Sequence, residues 1–242
     1  MTHPRSAFGG RWIMRLHAWQ VALAVMLPAG GFAAQDFSPA EQAIFMADQL
    51  ANLRPPSTLR YSFHKAGSLE AGFDDTVVLA FRRQPDGSCC TSTGEFLTGP
   101  RRLPLPDIDN AKANPVILYF LEHDIREMRR LTQGPENYFR KRIRMAVYQG
   151  ATVAPASFVY QGKPVAGREV SFRPYLDDPN RYRYEKLAGK EYRFLLSDAV
   201  PGGVLGIRTH VAAAAGAEAG TPPLLTEDLL IDGADPLPRT PP

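Results

Sequence analysis

From residue 59 onward, apolar and polar residues alternate. Leu59, Tyr61 and Phe63 stand against Arg60, Ser62 and His64, and Val77, Leu79 and Phe81 repeat the period after a glycine-containing turn. A period of two predicts strands with one buried face. Pro85-Asp86-Gly87 is a turn signal, so residues 88–97 read as the returning strand of a hairpin. Leu103 and Leu105 are spaced for one more short strand, which Pro104 and Pro106 confine to an edge. Past Gly150 the alternation resumes with Phe158 and Tyr160, the turn Gln161-Gly162-Lys163, Val170 and Phe172, and then Tyr192, Phe194 and Leu196. Pro201-Gly202-Gly203 predicts a turn, residues 204–211 a returning strand, and residues 224–231 a last edge strand.

Two stretches break this period. Ser38-Pro39-Ala40-Glu41 has the spacing of a capping box with Pro at the first helical position. Ile44, Phe45, Ala47, Ala51 and Leu53 then predict an amphipathic helix that stops before Pro55-Pro56. Asn114-Pro115 repeats the N-cap signal, and Ile117, Leu118, Leu121, Ile125, Met128 and Leu131 form a helical stripe. Gly134-Pro135 ends this helix and begins another, whose stripe is Phe139, Ile143, Ala146 and Val147.

The short spacing between successive strands favours meander connections over parallel crossovers. The expected fold is therefore α+β: a curved antiparallel sheet, like half of a barrel, covered by a helical pair and preceded by an N-terminal amphipathic helix. Residues 35–232 are expected to form a single domain, with an Ala/Gly/Pro linker at 212–223 and a disordered tail at 233–242.

Charge changes the picture at the N-terminus. Arg5, Arg11 and Arg15 precede a short apolar run at 21–27, followed by Pro28 and the small residues Ala33 and Ala34. That is the layout of a signal peptide over residues 1–34, which predicts a periplasmic or secreted protein. Met14 is an alternative start, and the run is shorter than the roughly 20 residues that span a bilayer. The whole chain has 28 basic and 25 acidic residues; residues 1–34 hold three Arg and no acid, which leaves 25 of each. A global attraction to nucleic acid is thereby excluded. Cys89 and Cys90 are adjacent and cross-link no loop, so they read as one buried and one exposed thiol on a strand.

Candidate chemistry is sparse. No G-x-S-x-G, phosphate loop or dinucleotide fingerprint occurs. His123-Asp124 diverge by about 100° on a helix, and Glu127 is the better partner for His123. H-D-x-x-E is not a zinc-protease motif, so neither a metal nor a cofactor is expected, and a non-catalytic role is favoured over a hydrolase with an unrecognised site. Arg126, Arg129, Arg130, Arg140, Lys141, Arg142 and Arg144 form the densest charge cluster, read either as an anion-receiving surface or as a face paired with nearby acids.

The phrases Tyr119-Phe120-Leu121-Glu122-His123-Asp124, Asn137-Tyr138-Phe139-Arg140-Lys141-Arg142-Ile143-Arg144 and Ser197-Asp198-Ala199-Val200-Pro201-Gly202-Gly203-Val204 resemble an uncharacterised family of exported proteins from Gram-negative bacteria. That resemblance implies an exported single-domain protein and no particular activity. The order of elements is also similar to periplasmic lipoprotein carriers and related half-barrels, a likeness of architecture only. The expected function is binding of a lipid or other amphipathic ligand. Tyr61, Phe63, Phe81, Phe158, Tyr192 and Phe194 would form its wall beneath the helices, with Arg126, Arg130 or Arg140 at the head group. The alternative is an envelope assembly factor that docks a protein partner through the Arg-rich helices.

Overall fold

The structure is a computed structural model and describes residues 37–218 and 220–236. The expected signal peptide, and the part of the expected tail from residue 237 onward, lie outside the described residues. Within them are β1 (Ser57–Ala66), β2 (Phe73–Arg83), β3 (Cys89–Phe96), β4 (Thr152–Tyr160), β5 (Lys163–Phe172), β6 (Glu191–Leu196), β7 (Val204–Val211) and β8 (Leu225–Ile231). They pair antiparallel throughout, in the order β3-β2-β1-β8-β7-β6-β5-β4. The fold is α+β, a curved antiparallel sheet with helices covering one face, as the alternation predicts.

Two meanders make this sheet, and β8 joins them. It pairs with β1 from Tyr61↔Ile231 to Ala66↔Thr226 and with β7 from Gly206↔Leu230 to Val211↔Leu225. The expected edge strand is therefore a central one. Leu225, Glu227, Leu229 and Ile231 are all buried on one face, and a buried carboxylate at Glu227 disguises the strand's position. Residues 233–234 also belong to ordered pairing, since Ala234 bridges to Tyr160 and the Gly233 carbonyl accepts from the Gln161 amide at 2.6 Å.

The chain crosses from edge strand β3 to edge strand β4 by way of α2 (Pro115–Thr132) and α3 (Glu136–Gln149). Asn114 fixes where α2 begins. Its side-chain oxygen accepts from the Val116 amide at 3.1 Å, while its amide nitrogen donates to Tyr61 Oη at 3.0 Å and to the Gly202 carbonyl at 2.8 Å. One N-cap thus ties the helix to β1 and to the β6–β7 turn. Gly202 holds φ +74°, and a Cβ there would come within 2.5 Å of Leu59 and 2.7 Å of Asn114. The α2 C-terminus turns through Gln133 in the left-handed region, φ 58°, rather than through the neighbouring glycine. A ring of Phe139 would meet a Cβ on Gly134 at 2.7 Å, so the glycine serves close packing there.

The N-terminal helix is shorter than its apolar spacing suggests. Ser38 and Glu41 form the expected capping box over α1 (Pro39–Glu41), which continues as a π-helical segment (Gln42–Met46). Ala47 is extended and ends it. Gln49 then turns back, donating to the Ala43 carbonyl at 3.0 Å and accepting from the Asn114 amide at 2.7 Å, which a continued helix would forbid. Residues 103–108 also differ from expectation: Leu103 and Ile108 make isolated bridges to Phe96 and Ser92 instead of a strand. Pro104 and Pro106 lack the amides that a continuous ladder needs.

Val116, Ile117, Phe120, Ile125 and Met128 of α2 and Phe139, Ile143 and Val147 of α3 pack on the sheet's inward row. Each such fully buried side chain contributes about 1.5–3 kcal/mol. Cys90 is buried and Cys89 exposed, as period two requires, but the two sulfurs are bonded to each other rather than standing as separate thiols.

Candidate functional site

At about 100° per residue, α2 presents two polar sides. Leu118, Glu122 and Ile125 fall within about 60° of one another; His123, Glu127 and Arg130 group about 140° away around the axis.

The first side opens onto a groove of about 560 Å³. Its walls are Phe45 of the π-helical segment, residues 104–108 after β3, and the facing residues of α2 and α3. The wall at 104–108 is fixed by the bridges at its ends and by Tyr119, whose hydroxyl donates to the Pro106 carbonyl at 3.0 Å. The interior is apolar, built of Leu105, Ile108, Leu118, Leu121, Ile125 and Ile143. Leu118 is 50% exposed although it belongs to the helix's apolar stripe. Charge is confined to Glu122, Arg126, Arg140 and Arg144. Glu122 serves two of these cations, Arg140 at 3.0 Å and Arg126 at 3.5 Å. Arg144 has no ion-pair partner among the described residues, and the groove carries three cations to one carboxylate.

The second side is closed. Lys190, just ahead of β6, is fully buried with its ammonium against Asp124 of α2 and 3.5 Å from Glu227 of β8. Tyr192 donates to the other Asp124 oxygen at 2.5 Å, and Thr209 donates to Glu227 at 2.9 Å. Lys65 continues the chain outward, bonded to Glu127 at 2.9 Å and Glu70 at 3.0 Å, and Arg130 closes it on the same two carboxylates at 2.8 and 2.6 Å.

These contacts decide the protonation of each group. Burial pushes the Asp124 carboxyl up, and Lys190 and Tyr192 only partly reverse it. Burial also pushes Glu227 up, but Lys190, His123 and Lys65 together overcome it and hold it well below the usual carboxylate range. Glu127 behaves similarly: burial raises it, yet hydrogen bonds from Arg130 and Lys65 bring it down to about 2. Burial would lower Lys190, but the charges of Asp124 and Glu227 leave it raised. Tyr192 is pushed well up by burial and by the Asp124 charge, so it stays a phenol that donates.

His123 belongs to this closed side. It is 8% exposed, packs edge-on to Phe63 at 5.4 Å, and its Nε2 lies 3.7 Å from Glu227 Oε1, neither atom having a hydrogen-bond partner. It does not line the groove. Among the described residues, no group of three or more His, Cys, Asp or Glu is placed to hold a metal. Asp178, one acid of the 177–180 turn, accepts from the Asn180 amide at 2.7 Å and pairs with Arg142 at 2.9 Å.

The residues picked out from sequence separate accordingly. Arg126 and Arg140 line the groove, whereas Arg130 lies on the closed side. Tyr61, Phe63, Phe81, Tyr192 and Phe194 are core side chains at 0–1% exposure, and Phe158 packs half-buried beside the core; none of the six lines the groove. Of the seven cluster cations, Arg126, Arg129, Arg130, Arg140 and Arg142 pair with acids, while Lys141 and Arg144 have no partner among the described residues. Sequence reasoning missed the 104–108 wall as well as Glu122 and Lys190. The two flanking prolines were the available signal for the wall, and a lone lysine ahead of a strand offers none.

Among the described residues no helix is long and apolar enough to cross a membrane. No family model matches the chain, and no curated protein matches it. Among solved structures, the Mycobacterium tuberculosis lipoprotein LppX is similar at 7% identity, over 76% of this chain and 90% of that one, with a TM-score of 0.31. A likeness at that score fixes neither fold nor ligand.

Proposed function

We propose that this is a non-catalytic, exported binding protein for an amphipathic anion, whose tail lies in the groove and whose head meets Arg126, Arg140 and Arg144. The observation that carries the reading is the composition of the groove: an apolar interior of about 560 Å³ with its charge gathered at one place and in cationic excess. That size suits a small ligand, and separating apolar surface from a few polar groups is how such sites fix orientation. The tail occupies the groove on the outer side of the helical pair, because the aromatics beneath the helices already fill one another's space.

Displacement of the fluorescent fatty acid cis-parinarate tests this. Palmitate is expected to displace it more effectively than hexadecanol. Leu118→Glu, at a half-exposed position, is expected to weaken probe binding at least tenfold, about 1.4 kcal/mol, without changing the unfolding midpoint. Arg144→Ala is expected to weaken palmitate several-fold and leave hexadecanol unchanged. Absence of probe binding, or equal response of both competitors to every variant, would overturn the reading.

A further inference from the structure

The outward face of α3 has a composition that its packing does not explain and of which the groove accounts for Arg144 alone. Phe139, Ile143 and Val147 point to the core. Lys141, Arg144, Met145 and Tyr148 follow one another at helical spacing, span about 100° of the opposite side and are all exposed. Met145 is 37% and Tyr148 46% exposed, a large apolar share for residues with no cover. The Ser38 hydroxyl donates to the Val147 carbonyl at 3.2 Å, which ties the start of α1 to the last turn of α3.

Its charges are as one-sided as its shape. The one acid of α3 is Glu136, in the first turn and bonded to Arg129 at 2.9 Å, away from the stripe. Lys141 and Arg144 have no carboxylate partner among the described residues, although each of the other five cations of the cluster has one. Cations without partners beside a methionine and a tyrosine, on a helix that lies along the surface, match an interfacial helix: long cationic side chains reach head groups while Met and Tyr enter the boundary below them. An acidic protein would satisfy the same charges, and binding to vesicles of lipid alone tells the two apart.

We infer that the outer face of α3 docks on an anionic lipid surface, through Lys141 and Arg144 with Met145 and Tyr148. Arg144 also lines the groove, so docking brings the groove to the lipid boundary, where an amphipathic anion would enter or leave. The docking itself rests on α3 and stands apart from what fills the groove.

Co-sedimentation with vesicles tests it. The protein is expected to pellet with vesicles containing roughly one third phosphatidylglycerol and to stay in solution with pure phosphatidylcholine, with binding that falls as salt is raised. Lys141→Glu is expected to weaken association at least fivefold, the factor per cation near such a surface. Tyr148→Ser, which leaves charge unchanged, is expected to weaken it as well. Equal pelleting with neutral vesicles, no pelleting with anionic ones, or indifference to both substitutions would overturn the inference. Leu118→Glu is expected to weaken cis-parinarate binding and retain vesicle association, and Lys141→Glu to weaken vesicle association and retain cis-parinarate binding. Failure of the docking is thereby told apart from failure of the groove.

Discussion

On the side of α2 that faces the sheet, four carboxylates (Glu70, Asp124, Glu127 and Glu227) meet three cations (Lys65, Arg130 and Lys190), and each has an ion-pair partner. On the groove side, Glu122 is the one lining carboxylate beside Arg126, Arg140 and Arg144; it pairs with the first two, and Arg140 also lies 3.9 Å from Glu136 of α3. The chain from residue 35 onward is formally neutral, yet an excess of cation stands at the groove. Density of charge along a helix therefore says little about binding. What separates the two sides is whether the charges are already paired and whether water reaches them.

Breaking the closed side at its centre gives the largest expected effect. Lys190→Met leaves Asp124 and Glu227 buried without their shared cation, and such a loss costs about 3–5 kcal/mol. Urea unfolding is the measurement. Adding Asp124→Leu to Lys190→Met is expected to restore part of the loss, since it removes one stranded charge, and a double-mutant cycle reads the coupling. A single-variant cost below about 1 kcal/mol would mean that this network does not hold α2 to the sheet.

Acid acts on the same side with a smaller effect. Glu127 is held at about 2 against an ordinary 4.5, so its contribution is complete above about pH 4.5 and is lost as pH falls toward about 2. Glu227 and Glu70 are lowered too and have the same sign. Asp124 is raised and has the opposite one, its share being complete in acid and lost as pH rises through its folded value. Three lowered groups against one raised predict acid destabilisation. Glu127 is part exposed, so after allowance for solvent screening its share is about 1–2 kcal/mol. Unfolding midpoints measured from pH 7 to pH 3 are expected to fall less steeply in Glu127→Gln than in the parent. Parallel slopes would remove Glu127 from the account.

The open side was more legible in the sequence than the closed one, for a physical reason. Strand alternation at Leu59–Phe63 and Val77–Phe81, the capping box at Ser38 and the N-cap at Asn114 are local signals, and local structure followed them. Arg126 and Arg140 were visible as part of a charge cluster, and they do reach the groove. The network, by contrast, is assembled from residues 65, 124, 190 and 227, on β1, α2, the loop ahead of β6 and β8, and each alone resembles a solvated charge. Glu227 in particular makes β8 read as an edge, because nothing within seven residues shows that Lys190, Lys65 and Thr209 will surround it. Leu118 misleads in the other direction. Its place in the apolar stripe implies burial, and only the proline-held wall at 104–108 leaves it facing a groove.

The smallest expected effect on stability belongs to Glu122, and it is the sharpest way to separate the two sides. Glu122 is the groove's own carboxylate, occupying Arg140 and Arg126 as a bound anion would. Pairs at or near the surface contribute about 0–1 kcal/mol, so Glu122→Gln, at a part-buried position, is expected to cost no more than about 1 kcal/mol in urea unfolding. The substitution raises the local excess from two positive charges to three, frees Arg126 and leaves Arg140 with only its 3.9 Å contact to Glu136. Palmitate affinity is then expected to rise several-fold, with a steeper dependence on salt, while hexadecanol is unaffected. If Glu122→Gln instead destabilises the fold as Lys190→Met does, Glu122 is a structural partner of α3 and the groove's cations are already spoken for. If stability and palmitate affinity both stay where they were, Arg126 and Arg140 do not meet the head group, and Arg144 is left as its one cationic contact.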